Sequence, residues 1–112
     1  MAIEINGVAI ETDDQGFLMD PEVWDDEVAG VLAQRAGVEL GEEHRKVLKF
    51  IRDYYQEHHI AVDARHVIRY IAEELGYNDQ ARKRLYELFP YGYMQQTCKI
   101  AGMRRPRAWS TG

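Results

Sequence analysis

A chain of 112 residues, 46% of them hydrophobic and 29% charged, is long enough for one domain with one modest core. Its apolar runs fall well short of the roughly 20 residues that span a bilayer, and no basic segment followed by an apolar one opens the sequence. We therefore expect a cytoplasmic protein with no secretory signal and no contact with membranes. Cys98 is the single cysteine, which excludes an internal disulfide framework and fits a reducing compartment.

The net charge of −5 conceals an asymmetry between the two parts of the chain. Residues 1–44 contain twelve acidic residues and one basic residue, whereas residues 45–112 contain seven acidic and thirteen basic residues, so the parts carry −11 and +6. A polarised distribution favours oriented docking on a partner. The alternative is an ordinary solvated surface, and charge alone favours that alternative.

A β-hairpin is the first predicted element. Asn6-Gly7 separates two short segments of alternating apolar residues and is typical of a tight hairpin turn, because both residues accept positive φ angles. A turn follows at residues 13–16. The apolar hairpin residues are Ile3, Ile5, Val8 and Ile10.

Four helices follow from the three- and four-residue spacing of apolar residues. Asp20 is expected to cap the first helix, with Pro21 at its first position and Gly37 at its end. The second helix spans residues 41–58. The third and fourth helices begin at the capping residues Asp63 and Asn78 and stop at Gly76 and before Pro90.

A short fifth helix is predicted over residues 91–101, with Gly102 in the left-handed position that closes it. The rest of the chain is rich in arginine and poor in core residues, which predicts a mobile arm. The expected fold is therefore mainly α: a small helical bundle with a helix-turn-helix, an N-terminal β-hairpin and a flexible C-terminal arm. Residues 1–101 would form the domain and residues 102–112 the arm.

Cys98 is the strongest nucleophile in the sequence. A persulfide carrier needs an accessible thiolate, which attacks the sulfane sulfur of a donor. Lys99, Arg104 and Arg105 favour the thiolate by their charge, whereas a position near a helix C-terminus disfavours it. A buried cysteine that acts as a small apolar residue is the alternative, and composition alone favours that alternative.

The four histidines lack the close pairing on one helix that metal ligation favours, and the cysteine lies far from them in sequence. We expect no metal site and no cofactor, with these side chains at the surface or at the boundary of the core. They are His44, His58, His59 and His66.

The third and fourth helices have the length and spacing of a helix-turn-helix. Arg82, Lys83 and Arg84 open the fourth helix, where a recognition helix would need basic residues. A chain that is acidic overall binds DNA poorly unless its positive patch is isolated, and a helical hairpin with a solvated basic turn is the favoured explanation of the pattern. DNA is therefore kept as an alternative partner.

Several segments, in this order, resemble the DsrC/TusE sulfur-relay family, which includes the gamma subunit of dissimilatory sulfite reductase. The resemblance runs the full length of the chain, and together these motifs are specific. They are Asp14-x-Gly16-Phe17-Leu18, Trp24, Glu42-Glu43-His44, Phe50-Ile51-Arg52-Asp53-Tyr54-Tyr55, Ile60-Ala61 with Arg65, Leu88-Phe89-Pro90-Tyr91-Gly92, and Gln96-Thr97-Cys98-Lys99-Ile100-Ala101-Gly102.

The resemblance implies a helical bundle with an N-terminal hairpin and a helix-turn-helix, whose members pass sulfur with partner proteins. Some act with sulfite reductase and others in the relay that thiolates transfer RNA. The family's carrier cysteine is penultimate in the arm, and Cys98 matches a second, upstream cysteine. No residue here matches the arm cysteine. Counting forward from Cys98 places that cysteine at Trp109, whereas counting back from the end aligns Thr111-Gly112 with the threonine-glycine that precedes it in the family.

The expected function is therefore that of a single-thiol sulfur carrier, with a persulfide on Cys98 and at most a sulfurtransferase-type activity shared with partner enzymes. The alternative is a regulatory or adaptor protein that binds DNA or a sulfite reductase-like partner, with Cys98 as a sensor or structural residue. Four basic residues are expected to bind the sulfur donor and acceptor proteins: Lys99, Arg104, Arg105 and Arg107.

Overall fold

The computed structural model describes residues 2–60, 62–91 and 93–104, and these residues form a helical bundle with one hairpin. Two short 3-10 turns, Pro21–Val23 and Asn78–Gln80, lie between the main elements. The expected mainly α fold with an N-terminal hairpin is confirmed. The elements are β1 (Ala2–Ile5), β2 (Val8–Glu11), α1 (Asp26–Ala36), α2 (Glu42–His58), α3 (Ala64–Glu74), α4 (Ala81–Leu88) and α5 (Tyr93–Ile100).

The hairpin forms as its turn sequence predicts. Asn6 and Gly7 have φ angles of 52° and 78°, which is the backbone that a two-residue turn requires. Strands β1 and β2 pair antiparallel with Ile3 opposite Ile10, and both of these side chains are buried. An isolated hairpin is marginal in water, and β1 packs against α1.

The predicted start of the first helix is wrong by about one and a half turns. The Asp20 carboxylate caps only the 3-10 turn, accepting a bond from the Glu22 amide at 3.0 Å. The chain is then extended at Trp24 (φ −74°, ψ 138°), and α1 begins at Asp26. Its cap is Asp25, whose carboxylate accepts a bond from the Val28 amide at 2.9 Å.

The predicted bounds of α2 agree with the structure, and so does the cap of α3. The Asp63 carboxylate accepts a bond from the His66 amide at 3.2 Å. The predicted cap of α4 is wrong, because Asn78 lies at a positive φ of 49° inside the 3-10 turn and α4 begins only at Ala81. Helices α3 and α4 pack against each other across this turn.

Helix α5 lies inside the bundle and not on its surface. It packs against α1, α2 and α4, and three consecutive residues, Gln96, Thr97 and Cys98, are buried. The side-chain Nε2 of Gln96 donates to the carbonyl oxygen of Ala36 at 3.2 Å, which joins α5 to the end of α1. The predicted cysteine site is therefore a core position.

Candidate functional site

The Cys98 side chain is fully buried, with 0% of its surface exposed. Burial raises the pKa of the Cys98 thiol to about 12, so the protein holds it as a neutral thiol at physiological pH. A neutral, covered thiol is a poor nucleophile, because the thiolate is the reactive form. Any reaction of Cys98 therefore requires that the thiol first be uncovered, and its role as a carrier stays a prediction.

The chain after α5 closes over the end of the helix that carries Cys98. The Met103 amide donates to the Cys98 carbonyl oxygen at 3.0 Å, and the Gly102 amide donates to the Lys99 carbonyl oxygen at 3.1 Å. Gly102 has the predicted left-handed backbone, with a φ of 74°. This is a Schellman motif, which satisfies two of the carbonyl groups that every helix end leaves unpaired.

The first residues of the predicted arm pack on the domain. Gly102 and Met103 are both buried, whereas Arg104 is exposed. Residues 105–112, with Arg105 and Arg107, lie outside the described residues. The division of the chain at residue 102 therefore stays a prediction, and the burial of Met103 is a finding that the sequence did not anticipate.

Two side chains for which the sequence predicted no chemical role reach the same helix end. The indole Nε1 of Trp24 donates to the Ile100 carbonyl oxygen at 2.8 Å. The guanidinium of Arg52 donates to the carbonyl oxygens of Ala101 and Pro21, each at 2.8 Å, and lies 4.4 Å from the centre of the Trp24 ring. Both residues occur in the segments that carry the family resemblance, which was the available signal.

Lys99 lies beside Cys98 in sequence and faces the loop after the hairpin. Its ammonium is 5.2 Å from the centre of the Phe17 ring, at the distance of a cation–π contact. Lys99 and Arg35 line one cleft of about 230 Å³, together with Asp13. Neither Lys99 nor Arg35 forms an ion pair within the part of the chain that the structure describes.

The three basic residues considered for nucleic acid do not act as one patch. The Arg84 guanidinium pairs with the Glu43 carboxylate, its Nε donating at 2.8 Å, and its Nη1 donates to the Glu87 carboxylate at 3.3 Å. Arg82 and Lys83 are exposed on the first turn of α4. Because two carboxylates of this protein neutralise Arg84, its charge is not available to a phosphate.

His44 links the N-terminus of α2 to the end of α4 through hydrogen bonds that involve both ring nitrogens. Its Nδ1 accepts a bond from the Gly41 amide at 3.0 Å, and its Nε2 donates to the Leu88 carbonyl oxygen at 2.9 Å. These partners require the neutral ring, and burial lowers the pKa of His44 despite the opposite effect of the bond to Leu88.

The other histidines lie at or near the surface. His58 and His59 are exposed, and His66 lies 2.7 Å from the Asp63 carboxylate. Within residues 2–60, 62–91 and 93–104, no group of three or more His, Cys, Asp or Glu side chains is arranged to hold a metal ion. No helix in these same ranges is both long and apolar enough to cross a bilayer.

The fold and site define a small helical protein with an N-terminal hairpin and one cysteine on a buried last helix. A family model described as "DsrC like protein" matches residues 4–108, so the chain belongs to the DsrC-like family. The predicted membership is thereby confirmed.

Named relatives agree with this membership. The chain is 38% identical to the sulfurtransferase TusE of Pectobacterium atrosepticum over 104 residues, which cover 93% of this chain and 95% of the relative. It is 36% identical to the TusE of Escherichia coli over 100 residues, covering 89% and 92%.

Solved structures of the family superpose closely on this fold. The crystal structure of the oxidised gamma subunit of dissimilatory sulfite reductase (DsrC) from Archaeoglobus fulgidus matches with a TM-score of 0.89 at 33% identity. The NMR structure of DsrC from Allochromatium vinosum matches with a TM-score of 0.85 at 37% identity. Each comparison covers 97% of this chain and 99% of the other.

Proposed function

We propose that this protein is a sulfur carrier that accepts sulfur on Cys98 and passes it to a partner protein. The observation that carries the proposal is membership of a family whose curated relatives are named sulfurtransferase TusE, combined with a single thiol at the family's upstream cysteine position. The comparisons give no support to the DNA-binding alternative. The internal pairing of Arg84 with Glu43 also argues against it.

The transfer needs no oxidant. The Cys98 thiolate attacks the outer sulfur of a donor persulfide, the bond between the two donor sulfurs breaks, and the donor leaves as a thiolate. Cys98 then carries the persulfide, and the same exchange in reverse passes the sulfur to an acceptor thiol. The proton that Cys98 loses goes to solvent or to the departing donor thiolate.

Because Cys98 is buried, the sulfur exchange requires two conformations of the protein, one closed and one open. In the described conformation the thiol is covered and neutral, so it is protected from oxidants and from other thiols. In the second state the C-terminal turn of α5 opens and Cys98 reaches the donor. Transfer would take place only in the open state, which the isolated protein samples transiently and a docked partner would stabilise further.

The partners would be sulfur donor and acceptor proteins, either a sulfite reductase-like enzyme or a relay that thiolates transfer RNA. We assign the docking to the basic residues around and beyond Cys98: Lys99, Arg104, Arg105 and Arg107. Residues 102–112 would act as the docking arm of a domain formed by residues 1–101. A cytoplasmic location, which suits a single reduced thiol, belongs to this proposal.

A second function, that of an adaptor in which Cys98 only fills the core, is favoured by the complete burial of Cys98 and its raised pKa. The adaptor would dock on the same partners without carrying sulfur. The two functions differ in one measurable property, the ability of Cys98 to hold a sulfur atom under native conditions.

The test is intact mass spectrometry of the reduced protein before and after exposure to glutathione persulfide. The carrier predicts a gain of one sulfur atom in the parent and no gain in Cys98→Ser. A dithiothreitol wash should remove the added sulfur. Absence of any gain in folded parent protein, with a gain on the same chain in urea, would refute the carrier and leave the adaptor.

A further inference from the structure

The end of α5 has a donor for each of its four final carbonyl groups. The Schellman motif supplies the donors for Cys98 and Lys99 from the backbone amides of Met103 and Gly102. It does not reach the next two carbonyl groups. Trp24 supplies the donor for Ile100, and Arg52 supplies the donor for Ala101.

Trp24 and Arg52 form one unit, which we call the Trp24–Arg52 clamp. The guanidinium lies over the indole ring, 4.4 Å from its centre, and its Nη2 donates at the same time to the Pro21 carbonyl oxygen at 2.8 Å. A planar guanidinium presents several donors in a fixed geometry, which allows it to bridge two carbonyl groups that a lysine could not bridge.

The clamp also restrains the chain that follows the helix. A Cβ atom added to Gly102 would lie 2.9 Å from Trp24 Cβ and closer still to its Cγ and Cδ1. The backbone at Gly102 therefore runs directly against the indole. Met103, the next residue, is buried and bonds back to the Cys98 carbonyl oxygen.

Helix α5 has eight residues, and a helix this short is not stable by itself in water. The stability of α5, and therefore the burial of Cys98, depends on the packing of the helix and on the hydrogen-bond donors at its end. Loss of one of these donors leaves a carbonyl group with no partner in the closed state, whereas the open state can bond to water. Such a loss would therefore shift the balance toward the open state.

We propose that Trp24 and Arg52 are positioning residues for Cys98, which hold the C-terminal turn of α5 closed and so set how often the thiol is exposed. The role of that exposure in sulfur transfer rests on the proposed function, whereas the control of exposure does not. Neither side chain touches a sulfur atom in this role, and both act through the carbonyl groups of α5.

The test is the rate at which iodoacetamide alkylates Cys98 in the folded protein, followed by intact mass over low urea concentrations. Trp24→Phe keeps an aromatic ring under the guanidinium and removes the donor to Ile100, together with part of the packing surface of the indole. Arg52→Met keeps most of the aliphatic stem and removes the hydrogen bonds to the carbonyl oxygens of Ala101 and Pro21. We expect about tenfold faster alkylation in each, which is the effect of roughly one lost hydrogen bond.

The dependence on urea separates a local opening from global unfolding. A local opening exposes little surface, so its rate changes little with urea, whereas global unfolding follows the full denaturant slope. Ile71→Val is the matched control. Ile71 is a buried residue of α3, so the substitution lowers global stability without removing a donor to α5. Its alkylation should follow the steep slope, and the clamp variants should not.

The conservative variant Arg52→Lys should alkylate at a rate between the parent and Arg52→Met, since lysine keeps the charge and can donate to Ala101 but not to both carbonyl groups in the same geometry. The proposal is overturned if the clamp variants react at the parent rate, or only along the urea slope of Ile71→Val. Faster alkylation with no persulfide loading would refute the sulfur carrier and leave the positioning role in place.

Discussion

Trp24 and Ile100 are joined by a hydrogen bond across 76 positions of sequence, from the indole Nε1 to the carbonyl oxygen at 2.8 Å. This contact explains why the first helix does not begin at Asp20. The backbone at Trp24 is extended and the side chain is half-buried at the end of α5. A helix that continued from residue 21 would point the indole elsewhere, and α5 would lose a donor.

The closeness of Gly102 to this indole makes one substitution informative. We expect Gly102→Ala to lower the free energy of unfolding by about 2 kcal/mol or more, because alanine is strained at the positive φ of this position and its Cβ would collide with Trp24. Urea unfolding followed by circular dichroism measures the change.

Gly7→Ala is the matched control for Gly102. Gly7 has a nearly equal φ of 78°, but a Cβ there would meet nothing within 4 Å. Its cost should therefore be the backbone strain alone, about 1 kcal/mol. Equal losses in the two variants would mean that the indole yields to the new methyl group, contrary to the close packing described.

The neutral ring of His44 predicts a loss of stability in mild acid. Burial lowers the pKa of His44 below the 6.5 expected in the unfolded chain, so between these two values the unfolded state binds more protons. Stability should therefore be complete above pH 6.5 and should fall as the pH drops below it. Urea midpoints at pH 7.5 and pH 5.5 measure this difference.

His44→Gln should remove most of that acid dependence, although it also costs stability at pH 7.5. His58→Gln is the control, because His58 is exposed and the slope should persist in this variant. A parent protein with equal urea midpoints at both pH values would contradict the lowered pKa of His44.

The buried thiol predicts a second pH effect, at the alkaline end. Burial raises the pKa of Cys98 from 9.0 to about 12, so above pH 9 the unfolded chain loses the thiol proton and the folded chain keeps it. Stability should fall with rising pH in this window, by at most about 1.4 kcal/mol per pH unit.

Tyrosine and lysine side chains also titrate in alkali, so the Cys98 effect is read as a difference. Cys98→Ala keeps a small apolar side chain and removes the titrating group. The parent should lose more stability than Cys98→Ala between pH 9 and pH 10.5. Parallel loss in both proteins would indicate that the thiol is open to solvent.

The pair formed by Glu43 and Arg84 should contribute more to stability than a surface ion pair. Both side chains are about 30% exposed, and the phenol of Tyr77 also donates to Glu43. Partial burial raises the pKa of Glu43, but the bonds from Arg84 and Tyr77 outweigh it and hold the pKa below its usual value. A double-mutant cycle with Glu43→Gln and Arg84→Met should give a coupling of about 1 kcal/mol or more.

Lys49 and Asp53 provide the reference cycle for that pair. They form an ion pair of 2.7 Å on the outer face of α2, with side chains 77% and 60% exposed. Exposed pairs at this spacing couple only weakly, because solvent screens both charges. A Glu43–Arg84 coupling no larger than that of Lys49 and Asp53 would show that Arg84 is available to a partner.

Local sequence signals predicted the fold well wherever one or two residues decide the backbone. Asn6-Gly7 forms the hairpin turn, Asp63 caps α3, and Gly102 closes α5, because each effect depends on the residue's own side chain and φ preference. The same reasoning failed at Asn78, where the chain turns through a 3-10 segment before α4 and the asparagine takes a positive φ instead of a capping role.

The candidate site was only partly predictable. The family resemblance identified Cys98, and its matching segments include Trp24 and Arg52. No sequence pattern indicated that Trp24 and Arg52 meet at the end of α5. Their contacts join residues 49 and 76 positions apart, and such distances are set by the packing of whole helices. The sequence did not decide whether the thiol is accessible or buried, because burial depends on tertiary packing.

The position of Lys99 links the thiol-bearing helix to the N-terminal part of the chain. Its aliphatic stem passes over Gly16 and its ammonium rests on Phe17, within a loop that Asp13 holds through bonds from the amides of Gln15 and Phe17. The post-hairpin loop and α5 should therefore gain and lose amide-exchange protection together. A partner that binds the post-hairpin loop would thus change the dynamics at Cys98 without contacting it.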